Sequence, residues 1–225
     1  MSDGFSLPTL ESARDLLRFI QRARRVNDGA ARLIAADGFL QAYVGVLFPR
    51  GLLDRTPTVL GLRVFRVMEH PEFDLVVPLE SLAFRIERAL DAQTEGPLEV
   101  VAPAQSPSIQ WAAVTPPRDG WQRRLGVSAA QLSEAAQEGV AQVAQSLPDS
   151  AGEAVVQKVR AEVWGQSLGK KKSIPWAAGF AADALGFVNG KSLAVHSVDN
   201  WIRLTSKNGY VLVKTQGEPE GLDNE

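Results

Sequence analysis

The order of apolar and polar positions divides the chain into helical and strand-like stretches. From Thr9 to Val26, Leu10, Ala13, Leu17 and Ile20 recur at helical spacing, Leu16 broadens the stripe, and Asn27-Asp28-Gly29 marks the end. The period then changes. Arg32–Ala36 and Phe39–Phe48 are strand-like runs joined by Asp37-Gly38, a pair suited to the positive φ angles of a tight hairpin. Breaker-rich Pro49–Pro57 leads to a strand over Thr58–Met68 and a short one over Phe73–Val77. Pro78 opens a helix ending near Asp91, with Leu79, Leu82, Phe84, Ile86 and Leu90 as its apolar positions. Leu98–Ala102 and Ser108–Val114 read as two further strands.

Thr115-Pro-Pro-Arg-Asp-Gly-Trp121 is the strongest punctuation, and a domain boundary is expected between Pro116 and Gly126. This gives an N-terminal α+β domain or subdomain over 1–120, a second over 121–216, and an acidic flexible tail over 217–225. In the second part Ser128 caps a helix running to Ser146, and another from Ser150 to Trp164 should pair with it as a helical hairpin. A third helix starts at Pro175 and reaches Leu185. Ser192–Val198, Asn200–Ser206 and Tyr210–Thr215 follow as strands, with Asn208-Gly209 as a second hairpin turn. Helices and strands in this order predict an α+β fold with a largely antiparallel sheet or sheets.

Composition then narrows the classes. The chain is 45% hydrophobic and 22% charged, which argues against disorder and coiled coil. A net charge of −2 supplies no broad positive field, so nucleic-acid or membrane-surface binding would need a local patch. The lack of cysteine removes disulfides, thiolate nucleophiles and cysteine metal sites. With no apolar leader and no run long enough to span a bilayer, a soluble cytoplasmic protein is expected, without a membrane partner.

Several strings invite a chemical reading and fall short of it. Gly165-Gln166-Ser167-Leu168-Gly169 has the spacing of a nucleophile elbow, with Asp183 and His196 following in order, but a helical period precedes it and too little chain follows. A Gly-rich turn between helices is the simpler reading. Gly186 to Ser192 lacks the first glycine of a phosphate loop at the required place and runs from helix to strand; Asn189-Gly190 as a helix stop accounts for it. His70 and His196 are the two histidines, neither in a paired ligand motif. Catalytic residues, metal ligands and cofactors are therefore all expected to be none.

Two basic features remain. Arg14, Arg18, Arg22 and Arg25 step by four, four and three, so all four project from one face of the first helix. Lys170, Lys171 and Lys172 directly precede the helix that Pro175 starts, where free amides favour an anion. Each is also compatible with solvated surface. The chain reads as a non-enzymatic interaction or regulatory protein, its charged partner being an acidic protein surface. An enzyme or ligand binder with a non-motif pocket, and a nucleic-acid binder using the Arg/Lys patch, are the alternatives.

Overall fold

Asp37 and Gly38 adopt φ angles of 55° and 78°, the left-handed pair that a two-residue hairpin turn needs. Around that turn a computed structural model describes residues 3–26, 29–51, 54, 56–106, 109–148, 150–169, 171–217, 219 and 222, without the side chains of 171 and 172. The chain divides into two compact units, Met1–Gly45 with Leu62–Val114 and Val46–Gly61 with Thr115–Glu225.

The first unit contains β1 (Gly4–Leu7), α1 (Leu10–Val26), β2 (Ala30–Ala36), β3 (Phe39–Leu47), β4 (Thr58–Arg66), β5 (Phe73–Pro78), α2 (Leu79–Ala92) and β6 (Leu98–Val101). Its strands run in the order β5-β2-β3-β4, with β2 antiparallel to both β3 and β5, while β1 and β6 form a separate antiparallel pair. Arg32 on β2 ties to Asp74 on β5 through a bidentate pair, Nε donating to Oδ1 at 2.8 Å and Nη2 to Oδ2 at 2.6 Å. Helices α1 and α2 pack together, and Leu16, Ile20, Leu82 and Ile86 are fully buried with Leu33 and Leu40 of the sheet.

The second unit contains β7 (Gln122–Ser128), α3 (Ala129–Ser146), α4 (Glu153–Trp164), β8 (Ser167–Leu168), β9 (Lys171–Pro175), α5 (Trp176–Ala184), β10 (Ser192–Val198), β11 (Trp201–Thr205) and β12 (Tyr210–Lys214). The order is β12-β11-β10-β7, with every neighbouring pair antiparallel. The fold is thus α+β with large antiparallel sheet structure. Ser128 caps α3 through a full capping box with Gln131. Small residues set the helix packing: a Cβ on Gly139 would enter the Trp164 ring, and one on Gly179 would lie 2.6 Å from the Leu132 carbonyl oxygen.

Several expectations need correction. Phe84 is 57% exposed, because α2 buries Leu79, Leu82, Ala83 and Ile86, a stripe that Ala83 completes and Phe84 does not join. The expected strand at Ser108–Val114 contains a 3-10 turn over Gln110–Ala113; Trp111, only 3% exposed, covers Gly45, where a Cβ would come within 2.8 Å of the ring. Ser108 itself lies outside the described residues. Trp121–Gly126, placed within a boundary, is largely strand β7. The Gly-rich turn after Trp164 is a short β8-β9 hairpin with Gly169 at φ 54°. Helix α5 stops at Gly186 rather than at Asn189-Gly190. Gly186 has φ 74°, its N–H donates to Asp183, and the Phe187 N–H donates to Ala182, the paired bonds of a Schellman motif. Of the acidic end, residues 217, 219 and 222 are described, and Leu222 is buried; Glu218, Glu220, Asp223 and Glu225 lie outside the described residues.

Candidate functional site

Helix α1 turns about 100° per residue, so Arg14, Arg18, Arg22 and Arg25 occupy roughly 80° of its circumference. The buried residues Leu10, Ala13, Leu16, Phe19, Ile20, Ala23 and Val26 take the opposite side. Their arc is centred on Leu16, Ile20 and Ala23, which leaves Leu17 at the margin and only half-buried. The sequence stripe of Leu10, Ala13, Leu17 and Ile20 is therefore rotated from the true core face, yet the arginine face stays opposite to the core.

Arg14, Arg18 and Arg25 are exposed, while Arg22 is half-buried. Thr9 starts the helix, its hydroxyl accepting the Ser12 N–H at 3.1 Å. Asp15 would be the natural counter-charge on this face, but its carboxylate is bonded by Arg63 Nη2 of β4. Arg18 stands 3.8 Å from the same carboxylate with its side chain 61% exposed, which leaves a weak pair. At the C-terminal end Arg24 faces Glu80 of α2 at 3.7 Å, and Gln21 donates to Glu87 at 2.9 Å. Asp15, Glu80 and Glu87 are thus engaged by Arg63, Arg24 and Gln21 at the edges of the helix. Guanidinium groups one turn apart on a 17-residue helix can each take a carboxylate or phosphate bidentately.

Two family models match the chain. Residues 1–112 match a Domain of unknown function (DUF8010), and residues 116–218 match a Domain of unknown function (DUF8185). No curated protein matches. Among solved structures, a candidate DNA polymerase III beta subunit from Eubacterium rectale aligns at TM-score 0.50 and 8% identity, over 96% of this chain and 65% of that one. The fold resembles that of this subunit. The DNA polymerase sliding clamp of Caulobacter crescentus aligns at TM-score 0.49 and 10% identity over 100% of this chain and 67% of that one. The DNA polymerase III beta subunit of Thermotoga maritima gives 0.46 and 10% over 96% and 65%. The chain thus spans about two thirds of the length of these structures, and identities this low speak to the fold alone.

Lys170 lies outside the described residues, as do the side chains of Lys171 and Lys172, whose backbone forms β9 ahead of α5. Of the remaining strings, Ser167 sits in β8, and the Asp183 carboxylate accepts from Ser133 Oγ at 3.5 Å. His196 sits on β10, directly opposite Arg123 of β7 and Arg203 of β11. Burial, then Arg203 and Arg123, hold its imidazole below the ordinary histidine range. Glu69 and His70 take positive φ angles of 63° and 45°, and no group of three or more His, Asp or Glu side chains suited to a metal occurs among the described residues. No described helix is long and apolar enough to cross a membrane.

Sequence reasoning missed Arg63 as the partner of Asp15, because residues 48 apart are brought together only by folding α1 onto the sheet. It also missed a groove of about 750 Å³ between α2 and the strand β6 with the chain after it, lined by Phe84, Arg85, Arg88, Val101 and Pro103. The exposure of Phe84 is the signal that was misread.

Proposed function

We propose that this chain is a non-enzymatic binding scaffold on a sliding-clamp type of fold, and that the α1 arginine face docks an acidic surface of a protein partner. The observation that supports this most is the division of α1 into a core face and an opposite face on which Arg14, Arg18 and Arg25 are exposed. Exposed arginines on a helix anchored along its other side form a fixed array, and a fixed array loses little freedom on binding. The resemblance to a candidate DNA polymerase III beta subunit favours a second reading, in which the same face meets a nucleic-acid backbone.

Salt separates the two readings. Each arginine neutralising a phosphate adds close to one unit to the slope of log affinity against log salt, without regard to sequence. Duplex DNA should be bound weakly by the full chain and almost independently of the α1 arginines. Tight duplex binding with a slope of about −3, reduced by about two in Arg14→Gln/Arg18→Gln, would transfer the conclusion to nucleic acid. Arg22 is left intact in this variant because it is half-buried.

A further inference from the structure

Strands β7, β10, β11 and β12 carry Arg123, Arg124, His196, Arg203 and Lys214 and no aspartate or glutamate, in a protein of net charge −2. Alternation places Leu193, Val195 and Ser197 on the buried face of β10, so His196 points to the other face. Directly opposite residues in antiparallel strands share a face, which puts Arg123, His196 and Arg203 in one row across β7, β10 and β11. Thr205, opposite Ala194, is the next position on the same face, and the small Ala194 leaves room beside it.

Three polar atoms of this row have no hydrogen-bond partner. His196 Nδ1, Arg203 Nε and Thr205 Oγ1 are all buried without a hydrogen-bond partner, although buried polar atoms in folded proteins are nearly always paired. Arg203 is held in place all the same. Its guanidinium carbon lies 4.5 Å from the Trp121 ring and 5.8 Å from that of Tyr210, and the Trp121 indole N–H donates to the Pro117 carbonyl at 3.0 Å. Arg124, by contrast, is engaged, donating to Ser197 Oγ at 2.9 Å and to Gln122 at 3.1 Å. Beside the row opens a cleft of about 870 Å³, lined by Arg123, Thr205 and Lys207 and by the polar side chains Asn189, Ser192 and Asn208.

We propose that this sheet face is a phosphate-binding site for a small phosphorylated molecule, with Arg123, Arg203 and Thr205 holding the phosphoryl oxygens and the cleft taking the polar remainder. A phosphate monoester supplies several acceptor oxygens to donors that arrive from β7 and β11, on either side of His196 on β10. A phosphate offers three terminal oxygens in a tetrahedral array and more negative charge than a carboxylate, which suits donors approaching from different directions. Burial first, and then Arg203 and Arg123, oppose a positive charge on His196, so an anion bound beside it would make the imidazole easier to protonate. The cleft is several times larger than a bare phosphate needs, and it ends on Lys207, a second cation within reach of a larger ligand.

The test follows the imidazole of His196 by NMR in the full chain carrying His70→Gln, which leaves one histidine to observe. Inorganic phosphate, glycerol 3-phosphate and acetate are titrated at constant ionic strength. Saturable shifts are expected with both phosphates, glycerol 3-phosphate binding more tightly, and the imidazole should become easier to protonate as the anion binds. Arg123→Gln, at an exposed position, should weaken binding by roughly fivefold or more, and Arg203→Met should abolish it. Inorganic phosphate binding as tightly as glycerol 3-phosphate would restrict the site to the free anion and overturn the phosphorylated-molecule assignment. Acetate matching the phosphates would overturn the phosphate assignment. No saturable shift with any probe, or shifts unchanged in Arg123→Gln, would overturn the site itself. These results are independent of whether the α1 face binds a partner.

Discussion

Asp15 of α1 is bonded by Arg63 of β4, so the carboxylate that would neutralise the arginine face of the helix is turned to its sheet instead. Arg63 keeps only 18% of its side chain exposed and Asp15 33%, so this pair is far better shielded than an ordinary surface bridge. The same contact therefore fixes the helix on the sheet and leaves Arg14 and Arg18 with little neutralising charge.

Removing the charge of Asp15 should be felt in stability. Asp15→Asn leaves Arg63 with a weaker acceptor in a partly buried place and is expected to cost about 1–2 kcal/mol. Urea unfolding measures this directly. A loss matching that of Glu11→Gln, at an exposed position on the same helix, would show that the bridge contributes nothing specific.

Core assignments on the two helices of the first unit are open to a paired test. Leu16→Ala and Leu82→Ala should each cost about 2–5 kcal/mol, whereas Phe84→Gln should fall within about 0.5 kcal/mol of wild type. Leu17→Ala should lie between. Comparable losses at Phe84 and Leu82 would restore the stripe read from the sequence alone.

Those residues also show what the sequence could and could not disclose. Helix limits, the Asp37-Gly38 turn, the Ser128 cap and the strands after Ser192 are local, set by capping and turn chemistry within a few residues, and they were legible. The face of α1 that is buried depends on what packs against it, and a stripe containing both Leu16 and Leu17 permits either rotation. β1, β7 and β8 are short or polar strands whose pairing comes from β6, β10 and β9, so their own residues carry little alternation. The arginine face was readable as a spacing. Its separation from Asp15, and the row of Arg123, His196 and Arg203, required the tertiary pairing.

The approach of α5 to α3 should resist even a single methyl group. Gly179→Ala improves helix propensity by up to about 1 kcal/mol, but its Cβ would sit 2.6 Å from the Leu132 carbonyl oxygen, a backbone atom that cannot rotate away. A net loss of about 1–3 kcal/mol is expected. A variant as stable as wild type, measured by thermal and urea unfolding, would mean that the helices are further apart.

His196 should make stability fall on mild acidification. Its folded pKa lies below 6.5, so just below pH 6.5 the unfolded chain binds more protons than the folded one. The contribution is complete above pH 6.5 and declines as pH falls from there towards the folded value. Urea midpoints at two pH values on either side of 6.5 should therefore differ more for wild type than for His196→Gln. An equal difference would assign the effect to other groups.

The central claim is that the exposed arginines of α1 form the docking face. Its most direct measurement is partner recovery by the full chain against Arg14→Gln/Arg18→Gln, with each variant confirmed as folded by its unfolding midpoint. Glutamine keeps helix propensity, so the comparison isolates charge. The account predicts a specific acidic protein retained by wild type and lost, or reduced roughly tenfold, with the variant, since two charge-assisted contacts are removed. The same partner recovered in the same amount by both would contradict it, and the arginine face would then be solvated surface.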